Sequence, residues 1–180
     1  MTRETVLVRP RQTSDMDGCV SLLELVHERD RYPQNWPARP REWLSPPNQV
    51  RAWVAVDRQH LLGHVALARP DESEAASVWS EALGVGTGQL MCVSLLFVSP
   101  RARGRGVGAG LLGEAESYAR GCQAHPVLEV SSLDRKALAL YIRHGWRQVG
   151  AVEPDWLPSG AQSLLFAAPG LPLARSDPAC

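Results

Sequence analysis

Residues 90–112, LMCVSLLFVSPRARGRGVGAGLL, constrain this chain more than any other stretch. The run from 90 to 98 is apolar with Ser94 as its one polar interruption, the pattern of a strand buried on both faces. Pro100 and Arg101 end it, and Val107, Leu111, Leu112, Ala115 and Tyr118 then recur at helical spacing. The Gly-rich segment therefore joins a central strand to a helix. The first turn of a helix has amides without intrahelical partners and carries the positive end of the helix dipole, so such a junction favours an anion. Gly104, Gly106 and Gly108 have no Cβ and let an anion's oxygens approach the backbone, while Arg103 and Arg105 add positive charge. The expected ligand is a pyrophosphate.

Two familiar phosphate motifs do not fit. A nucleoside-triphosphate loop has Lys and then Ser or Thr after its last Gly, whereas Gly110 is followed by Leu111 and Leu112. In the dinucleotide fingerprint the third Gly comes three residues after the second, and here it comes two after. The segment instead resembles the acetyl-CoA loop of the GCN5-related N-acetyltransferase (GNAT) family, which reads Gln or Arg, two residues, Gly, one residue, then Gly or Ala. Arg103, Gly106 and Gly108 match it. The resemblance implies that the loop, including Gly104, Arg105 and Ala109, holds the CoA pyrophosphate, and that the backbone of Leu96, Phe97 and Val98 pairs with the pantetheine arm.

A second signature of the same family is Asn, two residues, Ala, two residues, Leu-Tyr, then Gly and an aromatic. The chain offers Asp134, Ala137, Leu140, Tyr141, Gly145 and Trp146, with Asp134 as the one departure. Asp replaces Asn readily as a helix cap, but its charge weakens a contact to CoA of the kind the family makes through Asn. The matching family Tyr points its hydroxyl at the CoA sulfur, so the resemblance makes Tyr141 a cofactor contact and the acid that protonates the leaving thiolate. Glu129, in an apolar strand over 127–131, resembles the carboxylate that precedes the Tyr by the same distance in ribosomal-protein N-terminal acetyltransferases, where the pair act as base and acid. A Leu-Glu-Val strand also recurs in members with other acceptors, so Glu129 is read as the base, acting directly or through water, or as a structural carboxylate. The oxyanion donor is expected to be a backbone N–H near Leu96 or Phe97.

The chain's 180 residues, 44% apolar, suit one domain over 1–168 followed by a loose tail over 169–180, rich in Pro and small residues. Lys+Arg and Asp+Glu are both 19, which leaves no overall field to attract nucleic acid or an anionic membrane. Cys19, Cys92, Cys122 and Cys180 are scattered, with no CxxC pair and no His at metal spacing, so no metal is expected. With no signal-like start and no long apolar run, a cytoplasmic protein is expected, monomeric or homodimeric.

Taken in order, the pattern predicts a strand over 5–9 and a helix capped near Thr13–Asp15 with Cys19, Leu22, Leu23 and Val26 on its apolar face. An irregular loop follows over 28–48, with at most a short helix around Pro40. Then come strands over 50–56 and 61–68, a helical segment over 72–83, a helix from Asp134, and strands over 146–152 and 163–168. With the resemblance this gives an α/β (α+β) fold: a mixed, mostly antiparallel central sheet of six to seven strands flanked by about four helices. Tyr32, Trp36 and Trp43 are substrate contacts or loop anchors, and His64 is an acceptor-side base or a hydrogen-bonded packing residue. The segment 70–89 either covers the acceptor pocket or is a surface excursion. The expected function is direct transfer of acetyl from acetyl-CoA to a primary amine, of a small molecule or a peptide N-terminus, through a tetrahedral intermediate. The alternative is a non-catalytic acetyl-CoA binding or sensing module.

Overall fold

A computed structural model describes residues 5–58 and 60–170. Among them the strands are β1 (Leu7–Pro10), β2 (Gln49–Asp57), β3 (His60–Ala68), β4 (Leu90–Val98), β5 (His125–Ser131), β6 (Arg147–Val152) and β7 (Ser163–Ala167). The helices are α1 (Met16–Asp30), α2 (Pro40–Trp43), α3 (Glu74–Leu83), α4 (Val107–Gly121) and α5 (Arg135–Arg143). The strands follow the order β1-β2-β3-β4-β5-β7-β6 in one sheet. β4 and β5 run parallel, while β1 with β2, β5 with β7 and β6 with β7 run antiparallel. This is the expected mixed sheet, and the short helix allowed around Pro40 is present as α2, a single turn opened by Pro40, whose fixed φ suits a first helical position. The expected tail beyond Gly170 lies outside the described residues.

The chain divides into two compact units, one drawn from the chain up to Ala66 and from Leu95–Ala115, the other from Leu67–Ser94 and from Glu116 onward. In the first, α1 turns Cys19, Leu22, Leu23 and Val26 onto Leu44, Val54 and Phe97, as their helical spacing requires. Val107, Leu111, Leu112 and Ala115 of α4 are likewise buried. Gly63 in β3 is what lets α4 come close. A Cβ there would lie 2.8 Å from Leu111 Cδ1, 3.1 Å from the Phe97 carbonyl oxygen and 3.2 Å from Val107 Cγ1. Leu111 can shift but the Phe97 carbonyl is backbone, so Gly63→Ala is expected to cost about 1–3 kcal/mol. Chemical denaturation should show a lower midpoint with an unchanged slope; an unchanged midpoint would mean that β4 yields.

In the second unit the segment 70–89 holds the expected helix as α3, and it packs into a core rather than running as a surface excursion. Ser73 caps α3 by accepting from the Ala76 amide at 3.2 Å, and Ala75 and Trp79 pack with Leu90, Val127, Val152, Leu165 and Ala167 in a buried cluster. Gly150 makes room for it, since a Cβ there would stand 2.4 Å from Val78 Cγ1. β5 and β7 pair over five positions, among them Glu129 opposite Leu165 and Ser131 opposite Ser163. β4 and β5 pair only at Leu90–Cys92 with His125–Val127.

Candidate active site

The Gly-rich loop takes the shape its residues predict. Gly104 and Gly106 sit at φ +74° and +79°, a left-handed backbone that favours Gly, and a Cβ on either would meet nothing within 4 Å. Their requirement is conformational rather than steric, and the space above them is open. Gly108 is instead the second residue of α4. The first helical hydrogen bond runs from Gly110 N–H to the Gly106 carbonyl at 2.9 Å, so the amides of Val107, Gly108 and Ala109 precede the helical ladder. Such a turn fits a pyrophosphate.

Both loop arginines are held by carboxylates. Arg103 pairs with Asp30 at the end of α1, and Arg105 lies 3.3 Å from the buried Asp57 at the end of β2. Their charge is therefore partly compensated locally, and the two ion pairs fasten the loop to α1 and β2. Asp30 thereby ties the end of α1 to the loop.

The central strand has an irregularity that nothing in its sequence signals. Leu95 adopts φ +53° in the middle of β4, uncommon for a residue with a side chain. Its carbonyl accepts from His64 Nδ1–H at 2.9 Å. His64 is wholly buried, and its Nε2 accepts from Arg11 Nη1 at 3.0 Å. These partners assign the Nδ1–H tautomer and leave no lone pair for a substrate amine, so the packing alternative describes His64 and the acceptor-side one does not. Burial first, and then the Arg11 cation, hold its pKa down at about 4 despite the opposing pull of the Leu95 carbonyl.

Unfolded, the same imidazole takes up its proton near 6.5. The stabilisation from keeping it neutral is thus complete above that pH and is lost as pH falls to about 4, a loss on the order of 3 kcal/mol. Asp15, whose carboxyl is held below its usual range first by its hydrogen bond from Arg9, loses its own contribution at lower pH still. Denaturation at pH 7 and pH 4.5 checks this: the parent chain should weaken and His64→Phe should show a much flatter dependence. Equal slopes would mean that His64 titrates normally.

The aromatic residues after α1 are anchored. Tyr32 and Trp43 are half-buried against the first unit's core, their rings 6.3 Å apart, and Tyr32 also meets the Phe97 ring at 6.3 Å. Trp36 is more exposed and leans on the His27 ring at 5.3 Å.

The second unit carries the other signature. Asp134 caps α5, its Oδ1 accepting from the Ala137 amide at 3.0 Å, as its place in the motif predicts. Tyr141 is 7% exposed, its ring against Trp146 at 6.1 Å and Phe166 at 6.4 Å. Glu129 is the one exposed residue of β5, and its Oε2 accepts from the hydroxyl of the fully buried Ser163 at 2.9 Å. Ser163, on β7, was not legible as a functional residue because the sheet alone brings it to Glu129. The same is true of Arg11, whose partners lie far along the chain. The Cys92 thiol is pushed up to about 12, chiefly by burial, which removes it as a nucleophile at ordinary pH. Among the described residues no group of three or more His, Cys, Asp or Glu side chains is placed to hold a metal, and no helix is long and apolar enough to cross a membrane.

Comparison with known proteins gives one family and one fold. The model of the acetyltransferase (GNAT) family matches residues 19–146. The crystal structure of Arabidopsis thaliana NAA60 in complex with acetyl-CoA is similar at 26% identity and a TM-score of 0.69, over 91% of this chain and 97% of that one. The same plant protein in complex with a bisubstrate analogue gives a TM-score of 0.68 at the same identity and coverage. The ribosomal-protein-S18-alanine N-acetyltransferase from Escherichia coli shares the fold at 12% identity, with a TM-score of 0.67 over 98% of this chain and 99% of that one. No curated protein sequence matches the chain.

Proposed function

The chain belongs to the GNAT acetyltransferase family and is an acetyl-CoA-dependent N-acetyltransferase, and from that premise we propose that Glu129 and Tyr141 are the base and acid of direct acetyl transfer to a primary amine. Glu129, directly or through a water, accepts the proton that the attacking ammonium must lose. The amine nitrogen bonds to the thioester carbonyl carbon, and a backbone N–H at Leu96 or Phe97 receives the oxyanion. As the tetrahedral intermediate collapses, the carbon–sulfur bond breaks, the nitrogen gives up its second proton to water, and the thiolate takes a proton from Tyr141, whose hydroxyl is then restored from solvent. The amides that open α4, with Gly104 and Gly106, hold the pyrophosphate, and Arg103 and Arg105 steady that loop. What carries this reading is Glu129: a solvent-facing carboxylate in an otherwise covered strand, oriented by a buried hydroxyl.

The acceptor in this proposal is a small amine or a peptide N-terminus. Calorimetry with acetyl-CoA, with ATP as control, followed by thiol release over a panel of small amines and of peptides with free N-termini, tests it. Binding of acetyl-CoA but not ATP, with thiol release for one acceptor class, is the expected result. No acetyl-CoA binding would make the Gly-rich turn structural and sink the proposal.

A further inference from the structure

We propose that His64 is a positioning residue for the acetyl group: its Nδ1–H fixes the left-handed turn at Leu95, and so sets the direction of the Leu96 and Phe97 amides that receive the oxyanion. The inference rests on the transfer reading above and adds a residue to it. A side-chain-bearing residue at φ +53° persists only where its surroundings over-determine it. Here they do so from both sides of Leu96. On one side the Leu95 carbonyl is held by His64 at 2.9 Å; on the other the Phe97 ring lies nearly flat on the imidazole, 5.1 Å between centroids and 20° between planes.

The imidazole cannot turn away, because its far nitrogen is bound to Arg11. Arg11 is itself tied down, donating to the Leu44 carbonyl at 2.7 Å and to the Ser45 hydroxyl at 2.7 Å. A guanidinium has no lone pair to offer, so it forces Nε2 to accept and Nδ1 to carry the proton. The network thus runs from the end of α2 through a single tautomer to the backbone of β4. Burial keeps that tautomer neutral through the physiological range. A packing role alone asks for an apolar side chain at this place; a fully buried imidazole with both nitrogens engaged answers a need of the turn.

The test compares the parent chain with His64→Phe, which keeps a ring on Phe97 but has no N–H, and His64→Asn, whose amide N–H stands where Nδ1–H did. With acetyl-CoA and the acceptor found by thiol release, His64→Phe should lose about ten- to hundredfold in kcat. Its Kd for acetyl-CoA should stay within about threefold, because the pyrophosphate loop is untouched. His64→Asn should recover most of the kcat. An unchanged kcat in His64→Phe, or equal losses in both variants that track their melting temperatures, would overturn the proposal. So would nitrogen NMR of the parent showing the proton on Nε2, a measurement that stands even if a variant fails to fold. A parent chain that binds acetyl-CoA yet acetylates nothing would count against the transfer reading itself, while the NMR result would still report on the turn.

Discussion

Replacing Tyr141 by Phe is expected to lower kcat for acetyl transfer by about 10²–10⁴-fold, the usual worth of a positioned proton donor. The substitution keeps the ring and removes only the hydroxyl. Tyr141 is almost wholly buried, with Trp146 and Phe166 on its ring, and Phe reproduces those contacts. Acetyl-CoA should bind within about threefold of the parent, since the Gly-rich loop proposed to hold its pyrophosphate is untouched. Loss of kcat without loss of binding is the signature of a group acting in the transition state. An acetyl thioester whose thiol has a lower pKa releases a less basic thiolate and should narrow the gap between variant and parent, because departure then needs less help. If Tyr141→Phe retains full activity, the residue is a packing aromatic and the acid lies elsewhere.

Glu129→Gln is expected to be of similar size, about 10²-fold or more, because the amide keeps the shape but cannot accept a proton. Ser163 should still hold the new side chain, since its hydroxyl can donate to the Gln carbonyl oxygen as it does to the carboxylate. The diagnostic feature is pH. As the pH approaches the acceptor amine's own pKa, neutral amine arrives from solution and the defect should shrink. A Glu129 that only shaped the strand would give a defect independent of pH. Ser163→Ala should show a milder form of the same behaviour, because it removes the orienting hydroxyl but leaves the carboxylate.

Two further effects are read in stability. Gly63→Ala acts on the packing of α4 against β3, and its consequence is stability. The acid-dependent loss tied to His64 arises because a neutral group is buried beside a cation, and it too is read in the melting curve rather than in turnover. Only the direction of the β4 amides links that buried group to the reaction.

How much of this was legible beforehand follows from how far apart the partners lie in the chain. The strand, the Gly-rich turn and α4 were readable because their determinants are local: an apolar run, residues free to take a left-handed backbone, and helical spacing. Asp134 as a cap, and Tyr141 with Gly145 and Trp146 after it, were readable for the same reason. Helix α3 was foreseen as a helix but not as part of a core. Its burial depends on a missing side chain at Gly150, far along the chain.

By itself, then, the order of residues determined the elements, the anion-binding turn and the family signatures, all of which are set within a few turns or strand lengths of backbone. Tertiary structure alone decided the rest. It gave Arg103 and Arg105 their carboxylates, set Ser163 beneath Glu129, and closed Arg11, His64 and Leu95 into one network. Each of these is a polar contact between residues remote in sequence, made where burial leaves a polar group to find a partner or lose stability. No local pattern records which partner it finds, because that choice belongs to the packing.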